Sequence, residues 1–163
     1  MNTMLLHDFA YVPVSAERVC DRLMADDGEW LAPLATAALR EGEALRLRIG
    51  PLGAVPLLAK TVSLEVGEPL KRDEVTVVPL TWKATATPGL FPVMWADLEV
   101  VALDAELTQL TLRGRYEPPL GAVGRRLDRL LLHRIAEASV RSFLDRLVAT
   151  LTSTEAAETA ALS

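Results

Sequence analysis

The feature of this sequence that most constrains its fold is a change of hydrophobic period near residue 118. From residue 42 to 117, apolar side chains recur at every second position, as they do in strands of a sheet that buries one face. From residue 118 to about 152 they recur every three or four positions, which predicts one long amphipathic helix. A sheet with one apolar face needs a cover, and this helix supplies one. The sequence therefore predicts an α+β fold in which a curved antiparallel sheet wraps around a C-terminal helix.

The pattern also predicts where the individual elements lie. Strands are predicted at residues 5–14, 44–50, 60–66, 75–84, 93–103 and 107–116. Ser15 is a good N-cap for a first short helix, and residues 29–39 form a second one, with Pro33 in its first turn or at a kink. We expect residues 1–152 to form a single domain and residues 153–163, which contain few large apolar side chains, to form a flexible tail.

Charged residues predict which face of the sheet meets solvent. Acidic Asp97 and Glu99 alternate with apolar residues on one strand, and Arg113 and Arg115 do so on the next. Opposite charges on neighbouring strands can pair across an exposed face. Trp95 has the same phase as the two acids, so we expect it to face outward. On the long helix, Glu137 and Arg141 have the spacing of an ion pair.

The overall charge and cysteine content exclude several classes of function. The 17 Lys and Arg residues are outnumbered by 22 Asp and Glu residues, and such an acidic chain is poorly suited to binding nucleic acid. The single cysteine, Cys20, allows no internal disulfide and is expected to be a small buried residue. Two histidines, His7 and His133, do not make a metal centre. We expect no cofactor, no metal, no membrane insertion and a cytoplasmic location.

The order of elements resembles the SRPBCC superfamily, which includes START domains, birch-pollen-allergen-like proteins and polyketide cyclases and aromatases. The most specific part is the strand-to-helix junction, in which Tyr116-Glu117-Pro118-Pro119-Leu120-Gly121 leads to Gly124, Leu127, Asp128, Leu131, Leu132 and His133. The resemblance implies a helix-grip fold, with six or seven strands and a cavity for an apolar ligand between sheet and helix. No catalytic motif of the aromatases can be matched residue by residue.

The expected cavity gives a set of candidate ligand-binding residues. They are apolar or polarised side chains that have an inward phase on a strand, lie on the long helix, or occupy the 88–92 loop. These candidates are Trp82, Met94, Tyr116, Phe91, Leu80, Leu98, Leu112, Leu127, Leu131 and His133.

Three functions fit these observations. The first is binding or carriage of a small hydrophobic molecule, such as a lipid, a fatty acid or an aromatic polyketide. The second is a polyketide cyclase, aromatase or dehydratase, in which His133 or Tyr116 would transfer a proton. The third is a noncatalytic interaction module, for example a homodimer. Trp95 and the apolar Leu90-Phe91 loop suggest this function.

Overall fold

A computed structural model describes residues 3–49, 62–84, 93–117 and 129–163. The elements, in chain order, are β1 (Met4–Val12), α1 (Ala16–Met24), α2 (Leu31–Ile49), β2 (Val62–Val66), β3 (Leu70–Arg72), β4 (Val75–Ala84), β5 (Met94–Asp104), β6 (Leu107–Tyr116) and α3 (Arg129–Ala161). The predicted α+β helix-grip class is confirmed, because the long C-terminal helix covers one face of an antiparallel sheet.

The six strands form one sheet in the order β1-β6-β5-β4-β2, and β3 pairs with β4. Every pair is antiparallel. The last strand, β6, returns to lie beside the first, so residues distant in sequence become neighbours. The predicted β5–β6 hairpin is confirmed, with Ala105 and Glu106 in its turn. This topology brings the start of β1 and the end of β6 to the same end of the sheet.

The first helix begins and ends where local chemistry predicts. The Ser15 hydroxyl accepts a hydrogen bond from the backbone N–H of Arg18, which is the expected N-cap. After the helix, Asp26, Asp27 and Gly28 all have positive φ angles. These residue types tolerate the left-handed region best. Gly28 is also required by space, since a Cβ there would overlap the side chain of Val66.

The strand predicted at residues 44–50 is wrong. Residues 44–49 lie in α2, which runs from Leu31 to Ile49 and is longer than the short helix predicted there. The alternation of leucine and arginine covered only a few residues, and most of those residues are good helix formers. The helix had already begun at Leu31, with Pro33 in its first turn, and α2 packs against α3. Extending a packed helix is easier than nucleating a new element.

Two other boundaries also differ from the prediction. The short strand β3 lies in a charged segment that was not predicted to be a strand. Helix α3 continues to Ala161, beyond the predicted end near Thr152. The segment is rich in alanine and glutamate, which favour helix, and Glu155 forms an ion pair with Arg18 of α1. A segment with few large apolar residues can therefore still form the end of this helix.

Close contact between α2 and α3 depends on one glycine. A Cβ at the buried position Gly42 would overlap the hydroxyl of Ser139 and come within 3.0 Å of the Ile135 carbonyl oxygen. Beside it, the Glu41 carboxylate accepts hydrogen bonds from Ser142 and Arg146. The second helix therefore fixes the position of α3 above the sheet.

Candidate functional site

The inner face of the sheet contains a continuous row of large side chains near the beginning of β1. Strand register places Met4 beside Tyr116, Tyr116 beside Met94, and Met94 beside Trp82. Tyr116, Met94 and Trp82 are buried, so these strand positions face inward as the alternation predicts. The row combines two thioethers, an indole and a phenol, which together give a polarisable surface with few polar atoms.

The neighbouring inner row has small residues at its centre. Leu6 is beside Gly114, Gly114 is beside Ala96, and Ala96 is beside Leu80. A Cβ at Gly114 would come within 3.3 Å of the Met94 sulfur. The row next to the large one thus has two small residues, Gly114 and Ala96, at its centre, and the Met94 side chain lies against Gly114.

Helix α3 also carries a small side chain on the face that packs against the core. Ala136 packs against the core and lies one turn before Val140, on the face that continues to Phe143. None of the side chains from residue 133 to 138 is fully buried. Both the sheet and the helix therefore carry small inward residues.

The remaining inward candidates on the strands belong to the packed core. Leu80, Leu98 and Leu112 are fully buried or nearly so. The Trp82 ring meets the Phe143 ring of α3 edge to face, with centroids 5.2 Å apart. These residues belong to the hydrophobic core.

Tyr116 supplies the polar atom of the large row. Its hydroxyl donates a hydrogen bond to the Met4 sulfur at 3.0 Å, although a thioether is a weak acceptor. Burial, with a smaller contribution from the negative charge of Glu137, raises the pKa of Tyr116 to about 12. The hydroxyl is therefore neutral at physiological pH and can act as a hydrogen-bond donor.

His133 lies near the start of α3 and is paired with Glu137. Its Nε2 is 3.2 Å from Oε1 of Glu137, one turn later on the helix. Its Nδ1 is buried and has no hydrogen-bond partner among the described residues. A buried polar atom without a partner costs about 1–3 kcal/mol, so such an atom in a folded protein often has a functional explanation.

Glu137 connects these two predicted candidates. It pairs with His133, and its charge acts on the Tyr116 hydroxyl. We call Tyr116, His133 and Glu137 the polar cluster: Glu137 contacts His133, and its link to Tyr116 is electrostatic.

The other predicted candidates are less informative. Phe91 and Leu127 lie outside the described residues. Leu131 lies in the first turn of α3. All ten candidates remain predictions as ligand contacts, since burial alone does not identify a ligand.

Sequence reasoning missed several residues of this region. It omitted Met4, because the beginning of β1 gave no sign of what lies beside it. Gly114 and Ala96 were omitted because a search for cavity residues favours large side chains. Small residues at inward positions of two adjacent strands are the signal that could have found them.

The ion pairs of the sheet and of α3 follow the prediction only in part. Arg113 pairs with Glu99 at 3.0 Å across the outer face, as predicted. Trp95 faces outward and lies under the Arg115 guanidinium. The predicted Glu137–Arg141 pair is wrong, because Arg141 binds Asp8 of β1 through two contacts of 2.7 and 2.9 Å. A long arginine side chain can reach the neighbouring strand, which helical spacing cannot show.

Other chemistry is sparse in the part of the chain that the structure describes. No group of three or more His, Cys, Asp or Glu residues there could hold a metal ion. Cys20 is half-buried, and its burial raises the pKa of the thiol. None of the described helices is both long and apolar enough to span a bilayer.

Comparison with solved structures shows the fold of this chain. The Zhui aromatase/cyclase from Streptomyces sp. R1128 superposes with a TM-score of 0.50 at 15% identity, covering 92% of this chain and 94% of the other. A conserved protein from Geobacillus kaustophilus superposes with a TM-score of 0.55 at 12% identity, covering 94% and 97%. No family model and no curated protein matches the sequence.

The chain therefore has the helix-grip fold that its element order predicted. The strand-to-helix junction at residues 118–128 lies outside the described residues. Identities this low establish the fold and leave the function to the site itself.

Proposed function

We propose that this protein binds a small hydrophobic molecule between the inner face of the sheet and the first part of α3. The observation that carries the proposal is the pair of small inward residues, Gly114 and Ala96, beside the row of Met4, Tyr116, Met94 and Trp82. Ligand sites are lined mainly by hydrophobic and aromatic side chains with a few polar groups, as this row is.

The chemistry of the walls supports an apolar ligand. Thioether and aromatic groups adapt to irregular apolar shapes and attract aromatic or aliphatic surfaces. The two inner rows described above, which run from β1 to β4, contain no charged residue. A lipid, a fatty acid or an aromatic polyketide would each fit such a surface.

Binding can be tested directly by native mass spectrometry of freshly purified protein, followed by extraction of any released molecule. We also expect the neutral fluorescent probe N-phenyl-1-naphthylamine to bind, because its fluorescence reports transfer to an apolar site. A reproducible extra mass, or saturable binding of the probe, would support a ligand cavity.

A substitution at Ala96 locates the binding site. Ala96→Leu adds volume at this inward position, so we expect the probe to bind at least about tenfold more weakly. Ala102→Leu is the matched control, because it makes the same change at an exposed position of the same strand. If Ala96→Leu folds normally and binds the probe as tightly as wild type, the proposed location is wrong.

An enzymatic function is the second candidate, and the polar cluster favours it. Tyr116 is a neutral donor and His133 could accept or release a proton, as a cyclase or aromatase requires. The structural neighbour named Zhui aromatase/cyclase supports the same candidate through its fold alone. An unchanged product profile after replacing both residues by Phe would eliminate this function.

We also propose that the protein forms a homodimer. The outer face of β1 exposes Leu5, Phe9 and Tyr11, and such apolar patches are often interfaces. Sedimentation over a wide concentration range would show whether the mass doubles. A monomer at every concentration would exclude self-association through this face.

A further inference from the structure

The outer face of the sheet carries a groove that the proposed ligand site does not use. The groove has a volume of about 630 Å³ and crosses four neighbouring strands, β1, β6, β5 and β4. Strand register divides its outward side chains into two rows that run across the sheet. The first row is Leu5, Arg115, Trp95 and Thr81, and the second is His7, Arg113, Asp97 and Pro79.

Arg115, in the first row, is a cation without an acidic partner among the described residues. Its register neighbours are Leu5 and Trp95, and it forms no ion pair within the part of the chain that the structure describes. Its guanidinium carbon lies 5.8 Å from the centroid of the Trp95 ring. A guanidinium over an aromatic ring is held in place, and its N–H groups can still bind a carboxylate.

Asp97, in the second row, is an anion without a basic partner among the described residues. Register places it beside Arg113, but Nε of Arg113 lies 3.0 Å from the carboxylate of Glu99 instead. Asp97 is exposed and follows Trp95 by two residues on β5, on the same face of the strand. The groove therefore contains a cation in one row and an anion in the other, and neither charge is paired within the described chain.

The exposed apolar side chains beside the groove indicate how large its partner is. On the outer face of β1, Leu5, Phe9 and Tyr11 are 75%, 46% and 52% exposed. A small molecule in the groove would leave most of this apolar surface in water. A protein surface would cover it, and interfaces commonly combine aromatic side chains with arginine.

We infer that this outer groove is the interface between two copies of the chain, in which Arg115 of each copy binds Asp97 of the other. A two-fold interface brings the same patch of both copies together. A patch with one unpaired cation and one unpaired anion is then complementary to itself, and each copy supplies what the other lacks. The inference rests on the proposed homodimer, since it names the contacts that hold that dimer together.

Charge reversal tests this pairing more sharply than charge removal, because the loss of an exposed ion pair changes affinity little. Arg115→Asp would place two acids opposite each other at both symmetric contacts, and Asp97→Arg would do the same with two arginines. We expect each variant to raise the dimer dissociation constant at least about tenfold in sedimentation velocity over a wide concentration range.

Mixing the two variants separates the pairing from any effect on folding. One copy then carries two acids and the other two arginines, so the equimolar mixture should form a heterodimer although each variant alone is mainly monomeric. The double variant Arg115→Asp/Asp97→Arg should also dimerise, because it exchanges the two charges. Arg72→Asp is the matched control, since it reverses an exposed arginine of β3 outside the groove and should leave the dissociation constant unchanged.

The outcomes separate this inference from the proposed homodimer. If wild type dimerises and both single reversals keep its dissociation constant, the groove is not the interface and the homodimer uses another face. If the reversals weaken the dimer but neither the mixture nor the double variant restores it, the pairing of Arg115 with Asp97 is wrong. If wild type is monomeric at every concentration, the proposed homodimer fails, and this inference fails with it.

Discussion

The two halves of the described part of α3 differ in what they contribute to the protein. In the later half, Val140, Phe143, Leu144, Leu147 and Leu151 are buried, three of them completely. In the earlier half, from residue 133 to 138, no side chain is fully buried, and His133 and Glu137 are charged or polar. One continuous helix thus has a packed half and a polar half.

We therefore expect the two halves of α3 to have different roles. The packed half holds the sheet, α1 and α2 together, and its burial is a large source of stability. The polar half has weaker packing, so a ligand there would displace little protein structure. Substitutions in the packed half should change stability, and those in the polar half should change binding.

The largest expected effect is the loss of stability from Leu147→Ala. Leu147 is completely buried, and removing its side chain should lower the free energy of unfolding by about 2–5 kcal/mol. Ile135→Ala, in the polar half, should cost only about 1–2 kcal/mol because that side chain is half-exposed. Urea denaturation measures both values. Equal losses would show that the two halves are packed alike.

A smaller loss is expected where α2 touches the boundary between the halves. Gly42→Ala should destabilise the protein by about 1–3 kcal/mol, because the new methyl group overlaps the Ser139 hydroxyl. The gain in helix propensity, about 1 kcal/mol, acts in the opposite direction. The double variant Gly42→Ala/Ser139→Ala should recover part of the loss. A fully additive double variant in thermal denaturation would argue against this contact.

The burial of Tyr116 on β6 should be visible in the titration of the tyrosines. Because its folded pKa is raised to about 12, Tyr116 stabilises the folded state below pH 10, and this contribution is lost as the pH rises from 10 towards 12. Ultraviolet absorbance should show a phenolate forming near pH 12, and Tyr116→Phe should remove that transition. Its persistence in the variant would show that the transition does not come from Tyr116.

The smallest effect concerns the acid sensitivity of the packed half. Hydrogen bonds from Ser142 and Arg146 lower the pKa of Glu41 below its ordinary value of 4.5. The stabilisation is therefore present above pH 4.5 and is lost as the pH falls through the lowered folded value. Glu41→Gln should lose less stability than wild type between neutral and acid pH. Glu106→Gln, at an exposed turn, should behave as wild type does.

The strands were the most predictable elements. Strands β4 and β6 lie at the predicted residues because alternation extends over ten positions in each. The segment 44–50 was predicted incorrectly because its alternation was shorter and its residues also favour helix. Alternation therefore predicted strands correctly where the residues did not also favour helix.

The candidate site was predictable only at positions with a clear phase. Trp82, Tyr116 and Met94 were identified from alternation, and His133 from its place on the long helix. Their arrangement was not predictable, because it depends on strand order and on which turn of α3 lies nearby. Met4 of β1 accepts the hydrogen bond of Tyr116, and the charge of Glu137 on α3 contributes to the raised pKa of Tyr116. Both residues are distant from Tyr116 in sequence.

The sequence by itself determined the periods of its elements, their order and the inward phase of each strand, because these follow from backbone geometry and local side-chain pattern. The tertiary structure decided which rows of the sheet contain large or small side chains and which half of α3 is packed. It also paired Glu137 with His133, and Arg141 with Asp8 of β1. Those properties depend on register and helix placement, which arise from contacts between residues far apart in the chain.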